Sequence, residues 1–323
     1  MKNKRWILLV TAMLAIVTTL AACHTGGVTQ NDKETVKIAY LPITHAVPLF
    51  VEQELFQDDF KNVDLELVKF SSWADILDAL NTGDVQGASI LVELALKAKE
   101  QGANIKTVAL GHREGNVVIV SDEINYVDDL IGKSFAIPHV NSAHNILTYK
   151  MLTNAGFNLD EMNIISMPPG KMPKALVSGE IAGYCVAEPF GSRSVVTGNG
   201  KVLFKSSELW SNSVCCSLVL SDEFINNNHD AAQELVNKYL IAGEKVQQED
   251  EEDKEIKEIV KKYLNVSNEE LDLSLQWTSY ENLTFNRADY DNMIYYMNKM
   301  KLLNNPPTYE DFVDNSFIEN ISK

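Results

Sequence analysis

The sequence predicts an α/β protein built from two doubly wound lobes joined by a two-segment hinge. Three observations carry that expectation. Short apolar strands alternate with helical stretches, and the alternation runs through one unit and then restarts in a second. Two separate segments, Asn116–Glu123 (NVVIVSDE) and Cys215–Phe224 (CCSLVLSDEF), are alike: each is an apolar, β-rich run ending in Ser-Asp-Glu, as two parallel crossings between lobes would be.

Taken in order, Val36–Pro42 (VKIAYLP) reads as the first strand, and an apolar-periodic segment follows to Phe56. The second strand is Val63–Phe70 (VDLELVKF), and the next helix, Ser72–Asn81, begins on a serine cap and stops at Gly83. GASIL (Gly87–Leu91) precedes a helix over Val92–Glu100, and IKTVALG closes the first unit as a βαβαβαβ run. The second unit starts at Lys133–Pro138 (KSFAIP). A helix over Ser142–Asn154, the strand MNIISMP and a helix over Met172–Ser178 ended by Gly179 come next. AGYCVA, a helix after Pro189 and KVLFK complete it. From Phe224 to Lys323 the pattern is mostly helical, and these helices are expected to complete the first lobe. The expected division is 34–118 with 221–323 in one lobe and 119–220 inserted as the other.

Ahead of the lobes, Lys2, Lys4 and Arg5 precede the apolar run WILLVTAMLAIVTTLAA, which ends at Cys23. A basic start, an apolar stretch and small residues before a cysteine make a secretory signal rather than a spanning helix. Leu20-Ala21-Ala22-Cys23 resembles the lipobox of bacterial lipoproteins. That resemblance implies a signal peptide over 1–22, acyl chains such as palmitate on Cys23, and a tether over 23–33 that holds the protein at the extracytoplasmic face of the cell membrane. The formal charge is −17, and −20 once the three signal cations are gone. A chain so acidic is not expected to bind nucleic acid or anionic headgroups. With Cys23 lipidated, Cys185, Cys215 and Cys216 remain, an odd set with two adjacent members and no obvious disulfide framework.

Enzyme signatures are lacking. There is no GxSxG elbow, GxxxxGK[ST] loop, HExxH or CxxC pair, so no enzyme and no cofactor are expected. The loops after strands are more informative. Thr44 and His45 follow the first strand, Ser72 and Trp73 the second, and Ser89 lies beside the third. Asn141, Ser142, His144 and Asn145 follow the strand KSFAIP. With Asn141 or Ser142 as N-cap, His144 falls in the first helical turn, where the positive dipole end disfavours an imidazolium. Free backbone N–H groups, hydroxyls and a neutral imidazole suit a small polar or anionic solute. His45, His112, His139 and His144 all fall near strand ends, but no pair has dedicated ligand spacing and the four straddle both lobes. No metal is expected.

Several segments resemble the substrate-binding proteins and lipoproteins of nitrate, bicarbonate, sulfonate and thiamine-precursor importers, most of all the nitrate/bicarbonate branch. They are LPITHAVPLFVEQELF (Leu41–Phe56), SWADILDALNTGDVQGASILVELAL (Ser72–Leu96), SAHNILTYKMLTNAGFNLDE (Ser142–Glu161), MPPGKM (Met167–Met172) and GYCVAEPFG (Gly183–Gly191). The resemblance implies a periplasmic-binding-protein type II-like fold. It implies a monomeric solute-binding lipoprotein that captures a small molecule between its lobes and delivers it to an ABC permease and its ATPase. It also gives His144 the role of ligand contact. One departure stands out: where that branch supplies a lysine to the anion, this chain reads ELWSNSVCCSLVLS (Glu208–Ser221), with Cys215 and Cys216 and no lysine. Those two cysteines, and Glu188 before Pro189, join the candidate ligand-binding residues, and a less charged, softer or larger ligand is implied. Alternatives on the same fold are an extracytoplasmic sensor lipoprotein and an enzyme acting on a pyrimidine or menaquinone precursor. The lipobox argues against the enzyme, whose metabolism is cytosolic.

Overall fold

Residues 33–248 and 254–320 are described by the structure, a computed structural model. The signal peptide, Cys23 and nearly all of the tether lie outside the described residues. The first sheet begins with β1 (Glu34–Tyr40), β2 (Val63–Lys69), β3 (Gly87–Leu91) and β4 (Ile105–Leu110). β2 alternates buried and exposed positions, as an edge strand does, whereas all five residues of β3 are buried, as a central strand requires. Helices α1 (Val47–Phe56), α2 (Trp73–Thr82) and α3 (Val92–Glu100) connect them. The start of α2 is set by Ser72, whose hydroxyl accepts the Asp75 N–H at 3.2 Å, and its end by Gly83, which takes φ 76°.

After β4 the chain passes through Gly111–His112 and a two-residue strand, β5 (Arg113–Glu114), into a second sheet. That sheet holds β6 (Asn116–Val120), β7 (Ser134–Ile137), β8 (Asn163–Ser166), β9 (Gly183–Ala187) and β10 (Lys201–Lys205) in the order β10-β6-β9-β7-β8. Its helices are α4 (Ala143–Asn154), α5 (Met172–Val177) and α6 (Phe190–Val196). The chain then re-enters the first sheet as β11 (Cys216–Ser221), giving the order β2-β1-β3-β11-β4.

The segments read as hinge crossings are therefore strands within the sheets. β6 lies antiparallel to β9, and β11 lies antiparallel to both β3 and β4. The reason is directional. A chain leaving one sheet at the carboxyl ends of its strands arrives at the other on that same rim, and so must run the opposite way. Asn116 accordingly pairs with Ala187, the last residue of β9, and Cys216 with Leu91, the last of β3. Return to the first sheet thus comes by Cys216, ahead of the expected 221.

The C-terminal helices divide. α7 (His229–Gln248) and α8 (Lys254–Tyr263) pack on α1, where Tyr263 stacks on Phe50 with ring centroids 4.4 Å apart. α9 (Asn268–Trp277) packs instead on α6 of the second sheet through an Arg193–Glu270 ion pair at 3.1 Å, so not all of these helices complete the first sheet's layer. A short strand, β12 (Thr278–Ser279), pairs with β5, and α10 (Arg287–Lys299) follows. No described helix is long and apolar enough to cross a membrane.

Candidate functional site

The carboxyl ends of β1 and β4 and the entering end of β11 share one rim, and the topology puts chemistry there. The chain turns after β1 through a single 3-10 turn, Thr44–Ala46. β4 runs out into Gly111 and His112, and Cys215 leads into β11. His45, His112, Cys215 and Cys216 thereby bring one ligand-type atom each to within 4.8 Å of one another, and all four are buried. The imidazoles of His45 and His112 stack with centroids 3.5 Å apart and planes 25° from parallel. His45 Nδ1 is 3.5 Å from Cys216 Sγ, and the two sulfurs are 3.9 Å apart, so both cysteines are free thiols.

Backbone contacts fix this arrangement. His45 Nε2 lies 3.0 Å from the Gly115 carbonyl, which only a protonated nitrogen can serve; Nδ1 is then the lone-pair atom turned to the sulfur. Gly115 has φ 75°, and a Cβ there would meet Thr278 Oγ1 at 2.6 Å and His45 Nε2 at 3.2 Å. At Gly111 a Cβ would stand 2.7 Å from the His45 carbonyl oxygen. Next along the chain, buried Arg113 makes a bidentate pair with Asp289, at 2.9 and 3.3 Å, and donates to the Asn282 and Thr284 carbonyls at 2.9 Å. Burial, then the neighbouring His45, holds the His112 pKa well below 6.5. Burial, then Cys216, raises that of the Cys215 thiol.

From the second sheet, α4 begins on Ser142, whose hydroxyl accepts the Asn145 N–H at 3.2 Å, and His144 occupies its first turn. The imidazole is fully buried, and neither ring nitrogen has a hydrogen-bond partner among the described residues. Its pKa lies well below 6.5, from burial first and then from His45, so the ring is neutral as expected. The leading cause, though, is burial rather than the helix dipole. Glu188 follows β9; its Oε2 accepts the Ser192 N–H and the Ser274 hydroxyl, both at 2.9 Å, while burial pushes its pKa to about 7. Thr44 bridges the two rims, its N–H donating to the Glu188 carbonyl at 2.9 Å and its hydroxyl to the same oxygen at 3.3 Å.

The remaining predicted residues scatter in role. Trp73 is buried with its indole N–H unpartnered among the described residues, whereas Ser72 uses its hydroxyl on its own helix. Ser89 sits mid-strand in β3, opposite Leu218, rather than beside the strand's end. Asn145 donates to the Val140 carbonyl at 2.7 Å, and half-buried Asn141 donates its N–H to His139 Nδ1 at 3.0 Å. Two residues were not singled out as binding residues. His112 follows β4 as His45 follows β1, and the sequence placed it near a strand end without making it a binding residue. Glu93, in the first turn of α3, is fully buried, and its pKa is pushed up to about 8; against that, its own N–H and the Ala143 N–H at the head of α4 pull it down.

The chain matches the NMT1-like family over residues 29–261 and belongs to that family. It is 36% identical to the ligand-binding component of an ABC-type import system from Staphylococcus aureus, solved with zinc bound. The TM-score is 0.84, covering 89% of this chain and 98% of that one. The periplasmic nitrate-binding protein NrtA of Synechocystis has the same fold, at TM-score 0.80 and 17% identity, over 90% of this chain and 89% of that one. In sequence, the chain is 26% identical over 202 residues to the bicarbonate transport ATP-binding protein CmpC of Synechocystis. That match covers 56% of this chain and 30% of the relative, so the chain spans less than a third of that protein's length. The fold is thus the periplasmic-binding-protein type II-like fold, and the two solved neighbours are a ligand-binding component of an import system and a nitrate-binding protein rather than enzymes.

Proposed function

We propose that the chain is the extracytoplasmic solute-binding subunit of an ABC importer, anchored through lipid on Cys23. Its two lobes, one on each sheet, would exchange chain at Gly111–Gly115 and again just before Cys216. The single observation that carries this reading is His144: a neutral imidazole at a strand-end rim, fully buried, with both nitrogens unpartnered among the described residues. Burying an unsatisfied polar group costs roughly 1–3 kcal/mol. A polar solute held against it offsets that cost. Because His144 and the His45 cluster are shut off from solvent, a solute reaches them only when the rims part, which is the hinge motion this architecture favours. The closed form then docks on a permease served by an ATPase, and no covalent chemistry is required.

A thermal-shift panel on the full chain, with His144→Ala alongside, tests the reading. Nitrate, bicarbonate, a sulfonate, a thiamine pyrimidine and zinc form the panel. A ligand at about 100 times its Kd stabilises by about 2.7 kcal/mol. That corresponds to several degrees at roughly 2–4 °C per kcal/mol. One solute raises the midpoint of the wild type, and raises that of the variant less or not at all. A folded chain that responds to none of them would sink the proposal.

A further inference from the structure

We infer that His45, His112, Cys215 and Cys216 form a tetrahedral site for a zinc-class divalent cation, and that this cation is the solute. The second half rests on the importer reading; the first half stands on geometry alone. A tetrahedral ion with Zn–S about 2.3 Å and Zn–N about 2.0–2.1 Å requires ligand edges of about 3.8 Å between sulfurs and about 3.5 Å between sulfur and nitrogen. The Cys215–Cys216 sulfurs are 3.9 Å apart, and Cys216 Sγ is 3.5 Å from His45 Nδ1. Two of the six edges thus match a tetrahedral ion, and His112 completes a set whose ligand atoms all lie within 4.8 Å of one another.

At His45, orientation agrees with spacing. A metal-bound histidine generally donates its other ring N–H to a carbonyl or carboxylate, which fixes the tautomer. His45 does this through Gly115, held at the one conformation and clearance a glycine allows.

Charge selects the class of ligand. Two thiolates neutralise a divalent ion, so loading releases two thiol protons and leaves a neutral centre, which a dry site can hold. A free anion fares worse. Among the described residues the buried cation beside the cluster, Arg113, is already paired with Asp289. Thiolate and imidazole together favour zinc over magnesium, calcium or manganese, which take oxygen ligands.

The test uses the full chain in detergent, reduced and stripped with chelator, then titrated with cobalt(II) or zinc(II) alone. One cobalt per chain is expected, with the intense d–d bands of a tetrahedral ion and thiolate-to-cobalt charge transfer, both erased by zinc. Cys215→Ser and His45→Ala should each lower zinc affinity by more than about 100-fold, beyond the 10–100-fold that loss of a supporting contact costs. His139→Ala should leave it intact, and magnesium should not compete. A pale octahedral cobalt spectrum, or undiminished zinc affinity in folded Cys215→Ser, overturns the site. Should that variant not fold, the wild-type cobalt spectrum decides by itself. Stabilisation by nitrate or bicarbonate with no zinc binding would overturn the metal site and leave the importer reading standing. Zinc held by these four residues, without permease-dependent zinc accumulation in cells, would keep the site and remove the cargo assignment.

Discussion

Glu93 gives the clearest prediction of how the closed cleft responds to pH. Its carboxyl is fully buried at the start of α3, near the head of α4 on the other sheet, and burial raises its pKa from 4.5 to about 8. A raised carboxyl means that the folded chain holds its proton more tightly than the unfolded chain. The stabilisation is fully present below pH 4.5 and is lost as pH rises through about 8. A shift of that size at 1.36 kcal/mol per pH unit is worth about 5 kcal/mol in all, of which about 3 kcal/mol falls between pH 6 and pH 9. Glu93→Gln keeps the shape and removes the titration. In metal-free protein kept in chelator, the wild type should lose about 3 kcal/mol more than Glu93→Gln from pH 6 to pH 9, or roughly 6–12 °C in midpoint. Thermal unfolding of both chains across that range measures it directly. Subtracting one profile from the other cancels Glu188 and every other group that titrates in both. Parallel profiles would refute the argument, because they would mean that Glu93 ionises without resistance and is not enclosed between the two rims.

Three further outcomes follow from the packing around the cluster. Arg113→Met strands Asp289 beside the crossover and should cost about 3–5 kcal/mol in urea unfolding; a loss under about 1 kcal/mol would mean the pair holds nothing together. Gly111→Ala forces a Cβ against the His45 carbonyl, 2.7 Å away, and should cost about 1–3 kcal/mol. The same change should weaken cobalt binding by displacing His45, and an unaltered cobalt titration would separate that histidine from the site. Ser267→Ala removes the cap that accepts the Glu270 N–H at α9, at a cost of about 1 kcal/mol in thermal stability. Because this cap is remote from the cluster, cobalt binding should not change.

The fold was legible where periodicity alone decides. The expected Val63–Phe70 and Lys133–Pro138 became β2 and β7 within a residue or two, and Ser72 and Ser142 cap α2 and α4 as their positions suggested. What periodicity does not encode is direction. NVVIV and CSLVL read as apolar β-rich runs whether they cross between sheets or insert into them. Only pairing with Ala187 and Leu91 at the carboxyl ends of β9 and β3 shows that both are strands running against their neighbours. The same blindness affected the C-terminal helices. The apolar stripe of α9 says that it must pack, while Arg193 and Ser192, which it meets on the second sheet, are distant in sequence.

The candidate site shows the limit more sharply. Metal ligands are recognisable in sequence when two of them share a helix or a tight loop, because local geometry then sets their separation. Here the cysteines are adjacent, but the histidines lie far from them and from each other along the chain. No spacing rule applies to ligands supplied by three strand ends. Their distance is set instead by topology: β11 enters antiparallel beside β3 and β4, so Cys216 arrives at the very rim that β1 and β4 leave through His45 and His112. Had β11 run parallel to β3 and β4, its cysteines would sit at the opposite end of the sheet. The strand direction that the sequence concealed is therefore the same fact that assembles the cluster. The strand-end rule placed His45 and His144 near a cleft, the resemblance added the cysteines, and the reversed strand brings His45, His112, Cys215 and Cys216 within 4.8 Å of one another.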